Sequence, residues 1–219
     1  SGIRRLAGDN LAGEERLDVD VVLLQRHLRA YPIRPQDRVV HADVVTEGKK
    51  IYLALGRIDV SQYSEAYCIH TVGAFETEGE LTRADDIQPR EIEEYLTEGN
   101  VVSVLNVMAC IRGSRGHGWW IPTRVLCFGS VSDKYHVRYW KTFSDTKDVL
   151  RKHLQRLSSA YGLRTLMLNL SSMDTHGERR LRPNADKSYG LTCEEVAKES
   201  LEKLDALTDG YLEVDMFRP

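Results

Sequence analysis

Apolar positions recur along the chain in blocks of two different periods, and each block predicts an element. Leu17, Val21, Leu24, Leu28 and Tyr31 return every three or four residues, which predicts an amphipathic helix stopped by Pro32 and Pro35. RVVHADVV and KKIYLALGRIDV lie either side of Glu47-Gly48, a pattern that predicts two antiparallel strands joined by a glycine turn. AYCIHTVGAF reads as a third strand after the polar SQYSE. QPREIEEYLTEGN predicts a short helix with Pro89 in its first turn and Gly99 just past its end. VVSVLNVMACIR is almost continuously apolar, the pattern of a central strand buried on both faces.

The second half keeps alternating. WWIPTRVLCFGSV predicts a strand, and Ser132-Asp133-Lys134 turns the chain into another, YHVRYWKTF. A helix follows with Ser144 or Asp145 as its cap, Leu150, Leu154, Leu157 and Tyr161 on one face, and Gly162 as terminator. LRTLMLNL is a buried strand, and SSMDTHGERRLRPNADKSYG is the longest stretch without periodicity. Thr192 and Glu195 form a capping box for a helix carrying Val196, Ser200, Leu201, Leu204 and Leu207, ended by Gly210, and YLEVDMF closes as a strand.

With several connections of hairpin length, this order predicts an α+β fold: a mixed, largely antiparallel sheet of about seven to eight strands with roughly four packed helices. It departs from the regular βαβ alternation of a dinucleotide-binding fold. Residues 1–16 are short of large apolar groups and predict a mobile N-terminal arm, leaving 17–219 as a single α+β domain.

Composition narrows the class. The 219 residues are 42% hydrophobic and 29% charged, enough for a core without a covalent or metal staple. No run of apolar residues is long enough to span a membrane, and no secretory leader is expected. The four cysteines, Cys68, Cys110, Cys127 and Cys193, have no Cys-x-x-Cys pairing, and free thiols point to a reducing, cytoplasmic setting.

Charge changes the picture more. The net charge of −3 conceals a segment, residues 105–183, that carries +9 between acidic flanks. Two loops concentrate it. Arg112, Arg115, His117, Trp119 and Trp120 share a glycine-rich stretch in which guanidinium groups could fork onto phosphates and indoles could stack on bases. Arg179, Arg180 and Arg182 make a second basic loop, and both loops projecting from one sheet edge would create a common anion-binding patch. A Walker loop is excluded because no Gly-Lys-Ser/Thr ends the run, and Trp119-Trp120-Ile121-Pro122 forbids the helix that an acetyl-CoA pyrophosphate loop must open.

Catalytic signatures are scarce. The seven histidines show no metal-ligand spacing, so no metal site is expected, and no cofactor is called for. His70 and Thr71 are adjacent, which puts them on opposite faces of a strand and excludes a His-x-Thr phosphoesterase pair. His117 is the one candidate acid or base. These observations together favour a non-catalytic protein that binds RNA or another phosphate-bearing polyanion through the basic middle segment. The alternative is a self-assembling structural subunit of the viral-matrix kind, with acidic helices docking on basic segments. A third reading is an enzyme acting on a phosphorylated or nucleotide substrate.

Overall fold

The structure is a computed structural model, and it describes residues 22–25, 38–58, 63–71, 73–74, 89–113, 121–135, 140–175, 178–179, 183–184, 186, 188 and 190–217. In chain order the elements are β1 (Val22–Gln25), β2 (Arg38–His41), α1 (Gly48–Leu55), β3 (Ala66–His70) and α2 (Pro89–Thr97). A π-helical turn, Glu98–Val102, leads into α3 (Ser103–Gly113). Then come β4 (Thr123–Ser130), the single-turn α4 (Ser132–Tyr135), α5 (Lys141–Tyr161), β5 (Arg164–Leu170), α6 (Cys193–Ala206) and β6 (Tyr211–Met216).

Among the described residues every strand pair is parallel: β1 with β2, and a four-stranded sheet in the order β3-β4-β5-β6. The largely antiparallel α+β sheet of seven to eight strands is therefore corrected to an α/β fold. A parallel sheet needs a crossover between successive strands, and helices supply it, which covers both faces and makes the strands read as unbroken apolar runs.

One face of the sheet packs Val125, Cys127 and Met167 against Val104 and Met108 of α3 and Leu150 and Leu154 of α5. The other face packs Leu126, Leu166 and Leu168 against Val196 and Leu204 of α6. The register Val125↔Thr165, Cys127↔Met167, Gly129↔Asn169 keeps each set on its own side. Successive side chains point to opposite faces, so a one-residue slip would exchange the two cores.

Four further readings change. YHVRYWKTF, read as a strand, is helical where it is described, at Tyr135 in α4 and at Lys141–Phe143 in α5, which opens before the expected cap at Ser144 or Asp145. KKIYLALG, read as a hairpin strand, forms α1, whose Ile51 is fully buried with Val107 and Cys110 of α3. VVSVLNVMACIR, read as the central strand, is helical throughout, because its apolar residues also fall at Val101, Val104, Met108 and Ile111, a spacing that a helix satisfies equally well. The helix expected from Leu17 to Tyr31 is corrected at Val22–Gln25, where strand β1 holds Leu24; its other named positions, Leu17, Val21, Leu28 and Tyr31, lie outside the described residues. The expected arm at 1–16 lies outside them as well.

Other readings hold in detail. Gly162 ends α5 at φ +63°, and the Thr192/Glu195 capping box has both of its hydrogen bonds.

Candidate functional site

At the carboxyl ends of β3 and β4, α5 and the π-helical turn bring together a group of buried polar side chains: His70, Asn100, Ser103, Ser130, Ser132, Ser144, Thr146 and Lys147. Parallel α/β sheets place their ligands in the crevice outside the carboxyl ends of the strands, so the location itself is chemically informative.

Lys147 is the centre of this group. It occupies the buried stripe of α5, one turn before Leu150 and two before Leu154, and is only 6% exposed. Its Nζ donates to the carbonyl of Phe128 at 3.1 Å and lies 5.4 Å from the centre of the Phe143 ring. Among the described residues no carboxylate stands within ion-pairing distance of this ammonium group. Burial consequently lowers its pKa to about 8, with only weak opposition from Cys127 and Asp133.

Serine hydroxyls line the same region. Ser132 Oγ accepts from Ser130 Oγ at 2.9 Å and from Ser144 Oγ at 3.0 Å, tying the tip of β4 to the first turn of α5. Asn100, aimed inward by the π-helical turn, clamps the chain after β3. Its Nδ2 donates to the Ala74 carbonyl at 2.8 Å and its Oδ1 accepts from the Ala74 amide at 3.2 Å. A β-carbon on Gly73 would come 3.2 Å from Asn100 Oδ1 and 3.8 Å from Lys147 Nζ, so the bare backbone there is the wall that faces the ammonium.

His70, the last residue of β3, is 8% exposed, with Nε2 3.1 Å from Ser103 Oγ. Burial first, and the neighbouring Lys147 charge second, lower its pKa to about 4.

A denser ionic network lies beside this group. Arg151 of α5 pairs with Asp133, Asp148 and Glu213, Lys134 pairs with Glu213 and Asp215, and Asn169 donates to both of those carboxylates. Its charges are matched internally, in contrast to Lys147.

The residues singled out from sequence are placed differently. Arg112 ends α3, where its guanidinium stacks on and donates to Tyr161, close to the amino end of β5. Arg179 follows the carboxyl end of β5, and its Nε and Nη2 each reach the Asp174 carboxylate at 2.6 Å. A strand of seven residues, roughly 20 Å, separates those two ends, and each guanidinium is engaged by its own neighbour, Tyr161 or Asp174. Arg115, His117, Trp119, Trp120, Arg180 and Arg182 lie outside the described residues.

Lys147, Asn100 and Ser103 carried a signal that the sequence reading passed over. Lys147 is the one charged residue on the buried stripe of α5 that carries Phe143, Leu150 and Leu154, and a buried-stripe lysine without a carboxylate in reach is costly unless it has a task. Asn100 and Ser103 fall on the buried face of a helix and lose that meaning once the segment is read as a strand.

No protein-family model matches the chain, and no curated protein matches it in sequence. Solved structures do match in fold. One, described as a short chain dehydrogenase/reductase family protein, has a TM-score of 0.66 at 17% identity, over 90% of this chain and 85% of its own. A short chain dehydrogenase family protein from Francisella tularensis gives 0.65 at 14% identity, over 98% and 91%. A short chain dehydrogenase from Burkholderia cenocepacia, determined in complex with NADP, gives 0.60 at 15% identity, over 84% and 70%.

The fold is thus the α/β architecture of short-chain dehydrogenases, and the statement that the chain departs from a dinucleotide-binding fold is corrected. The reading as a non-catalytic RNA- or phosphate-ligand-binding protein, with its structural-subunit alternative, is corrected with it: the solved structures that share this fold are described as short-chain dehydrogenases or reductases. No helix among the described residues is long and apolar enough to cross a membrane.

Proposed function

We propose that the chain is an oxidoreductase that interconverts a small hydroxyl compound and its carbonyl form, with a nicotinamide dinucleotide as hydride carrier and the reacting centre beside Lys147. One observation carries the reading: a buried ammonium group, unmatched by any described carboxylate, at the carboxyl edge of a parallel sheet. Two fold neighbours, one determined in complex with NADP and one with NADP bound, support the choice of carrier. A cytoplasmic setting accords with the four free thiols.

The residues present fit the polar part of such a group. Lys147 has three N–H donors and spends one on Phe128, and the Gly73 backbone leaves space where a side chain would otherwise stand against the ammonium. Lys147 and the Gly73 wall would hold a hydroxyl or carbonyl oxygen, with the Ser130–Ser132–Ser144 hydroxyls as a second polar surface. When bound, the carrier supplies or accepts the hydride.

The chain's own contribution is electrostatic and protic. Reduction of a carbonyl adds a hydride at carbon and a proton at oxygen. A cation fixed in a site of low polarity stabilises the negative charge that grows on that oxygen far more than it would in water. With a pKa near 8, Lys147 is charged at neutral pH yet poised to release a proton to the oxygen and regain one from solvent. The serine chain fixes the first turn of α5, and hence the direction from which Lys147 approaches.

Titration of NADPH and NADH into the purified protein, followed by cofactor fluorescence, tests the proposal. Saturable binding of one of them, weakened at least about tenfold by Lys147→Met, is expected, the loss of a charge-assisted bond being worth ~1.5–3 kcal/mol. Failure of both to bind, or equal binding by the variant, would overturn it.

A further inference from the structure

We propose that His70 is a positioning residue of the Lys147 site: through Ser103 it pins the tip of β3 to the start of α3, and it leaves Lys147 as the one positive charge there among the described residues. The significance of the site rests on the oxidoreductase reading; the coupling between the two side chains does not.

The geometry supplies the clasp. Ser103 stands at the junction of the π-helical turn and α3, with its Oγ 3.1 Å from His70 Nε2 and donating to the Gly99 carbonyl at 2.7 Å. Gly99 in turn presses against Ala74, where an added β-carbon would lie 2.6 Å from the Ala74 Cβ. His70, Ser103, Gly99 and Ala74 thus link the end of β3 to the residue that follows Gly73, the wall facing Lys147. Releasing the imidazole frees one side of that wall.

The surroundings explain why the ring must stay neutral. From β4, Cys127 stands in register with His70, and Cys68 lies two residues back on β3; burial raises the pKa of both thiols, to about 12 for Cys68, so both are uncharged at neutral pH. From α3 and the π-helical turn come the uncharged Ser103 and Asn100, with Glu98 exposed. From α5 comes Lys147, already a cation. Among the described residues no carboxylate faces the imidazole to compensate a second positive charge, so two cations would share one poorly solvated space. In a buried setting, each charge raises the cost of the other, and the coupling is reciprocal.

The test uses ring resonances of the 219-residue chain. The His70 signal is assigned by its loss in His70→Asn and followed from about pH 7.5 to about pH 4.5 in the native protein and in Lys147→Met. The native imidazole is expected to remain mostly neutral at about pH 5, and its midpoint to rise by roughly half a unit or more once the ammonium is gone. A native midpoint in the ordinary histidine range, or the same midpoint in both proteins, would overturn the coupling.

NADPH binding at neutral pH reads the positioning separately. His70→Asn retains a side chain able to hydrogen-bond toward Ser103, whereas His70→Phe fills the space without a polar atom. Binding weakened about fivefold or more by His70→Phe and substantially retained by His70→Asn is expected. Equal binding by both variants and the native protein would overturn it. If the native protein binds neither NADPH nor NADH, the oxidoreductase reading fails while the resonance titration still decides whether His70 and Lys147 are coupled.

Discussion

Replacing Lys147 by Met should make the protein more stable while removing its proposed function. The native ammonium is held in a site that lowers its pKa from 10.5 to about 8, which at ~1.4 kcal/mol per unit amounts to a folding cost on the order of 3 kcal/mol wherever the group is protonated in both states. Methionine has a similar length and no charge to desolvate. Its gain is offset by the lost hydrogen bond to the Phe128 carbonyl, whose net value is about 1 kcal/mol. The balance is a stabilisation of roughly 2 kcal/mol at pH 7, or about 4–8 °C in Tm for a chain of this size. The pH dependence has a definite sign. Below pH 8 both folded and unfolded lysine carry the proton, so the cost is complete. Between about pH 8 and 10.5 the folded state loses its proton before the unfolded state does, native stability rises, and the advantage of the variant shrinks. Chemical denaturation of both proteins between about pH 7 and pH 10 measures this directly. A variant less stable than the native protein at pH 7, or a difference that does not narrow with rising pH, would refute the reasoning.

Three other substitutions probe the frame that holds the site. Arg124 donates to the carbonyls of Leu204, Asp205 and Leu207 at the end of α6 and pairs with Glu65, so Arg124→Ala should cost about 3 kcal/mol in urea unfolding and expose the end of α6 to hydrogen exchange. A β-carbon at Gly129 would collide with Asn169 Oδ1 and fall 2.6 Å from Met167 Cε, so Gly129→Ala should destabilise by about 1–3 kcal/mol and shift Asn169 away from Glu213 and Asp215, visible in amide resonances of β6. Asn100→Ala strands the buried amide of Ala74 and should cost about 2 kcal/mol while weakening NADPH binding.

How far these features could be read from the chain depends on how local the deciding interaction is. The capping box at Thr192 and Glu195, the αL stop at Gly162 and the buried run at 164–170 are settled within a few residues, and each is legible. The direction of strand pairing is not local. β4 and β5 lie side by side and parallel only because α5 crosses between them, and the 38–55 region was read as a hairpin because Glu47-Gly48 resembles a turn when α1 is not recognised. Residues 98–113 were misassigned for a different reason: a segment apolar on most sides satisfies a buried strand and a buried helix equally, and only its packing on Met167 and Leu154 decides. That error concealed Asn100 and Ser103. Charge density is the more conspicuous feature of the sequence, yet Arg112 and Arg179 are engaged by Tyr161 and Asp174. The solitary lysine on the buried helical stripe was the stronger signal.

The central claim is that the carboxyl edge beside Lys147 receives a nicotinamide dinucleotide. Equilibrium fluorescence titration with NADPH and NADH, on the native chain and on Lys147→Met, tests it most directly. The account predicts saturable binding of at least one dinucleotide by the native protein and a loss of about tenfold or more in the more stable variant. Absence of binding, or affinity indifferent to Lys147, would contradict it.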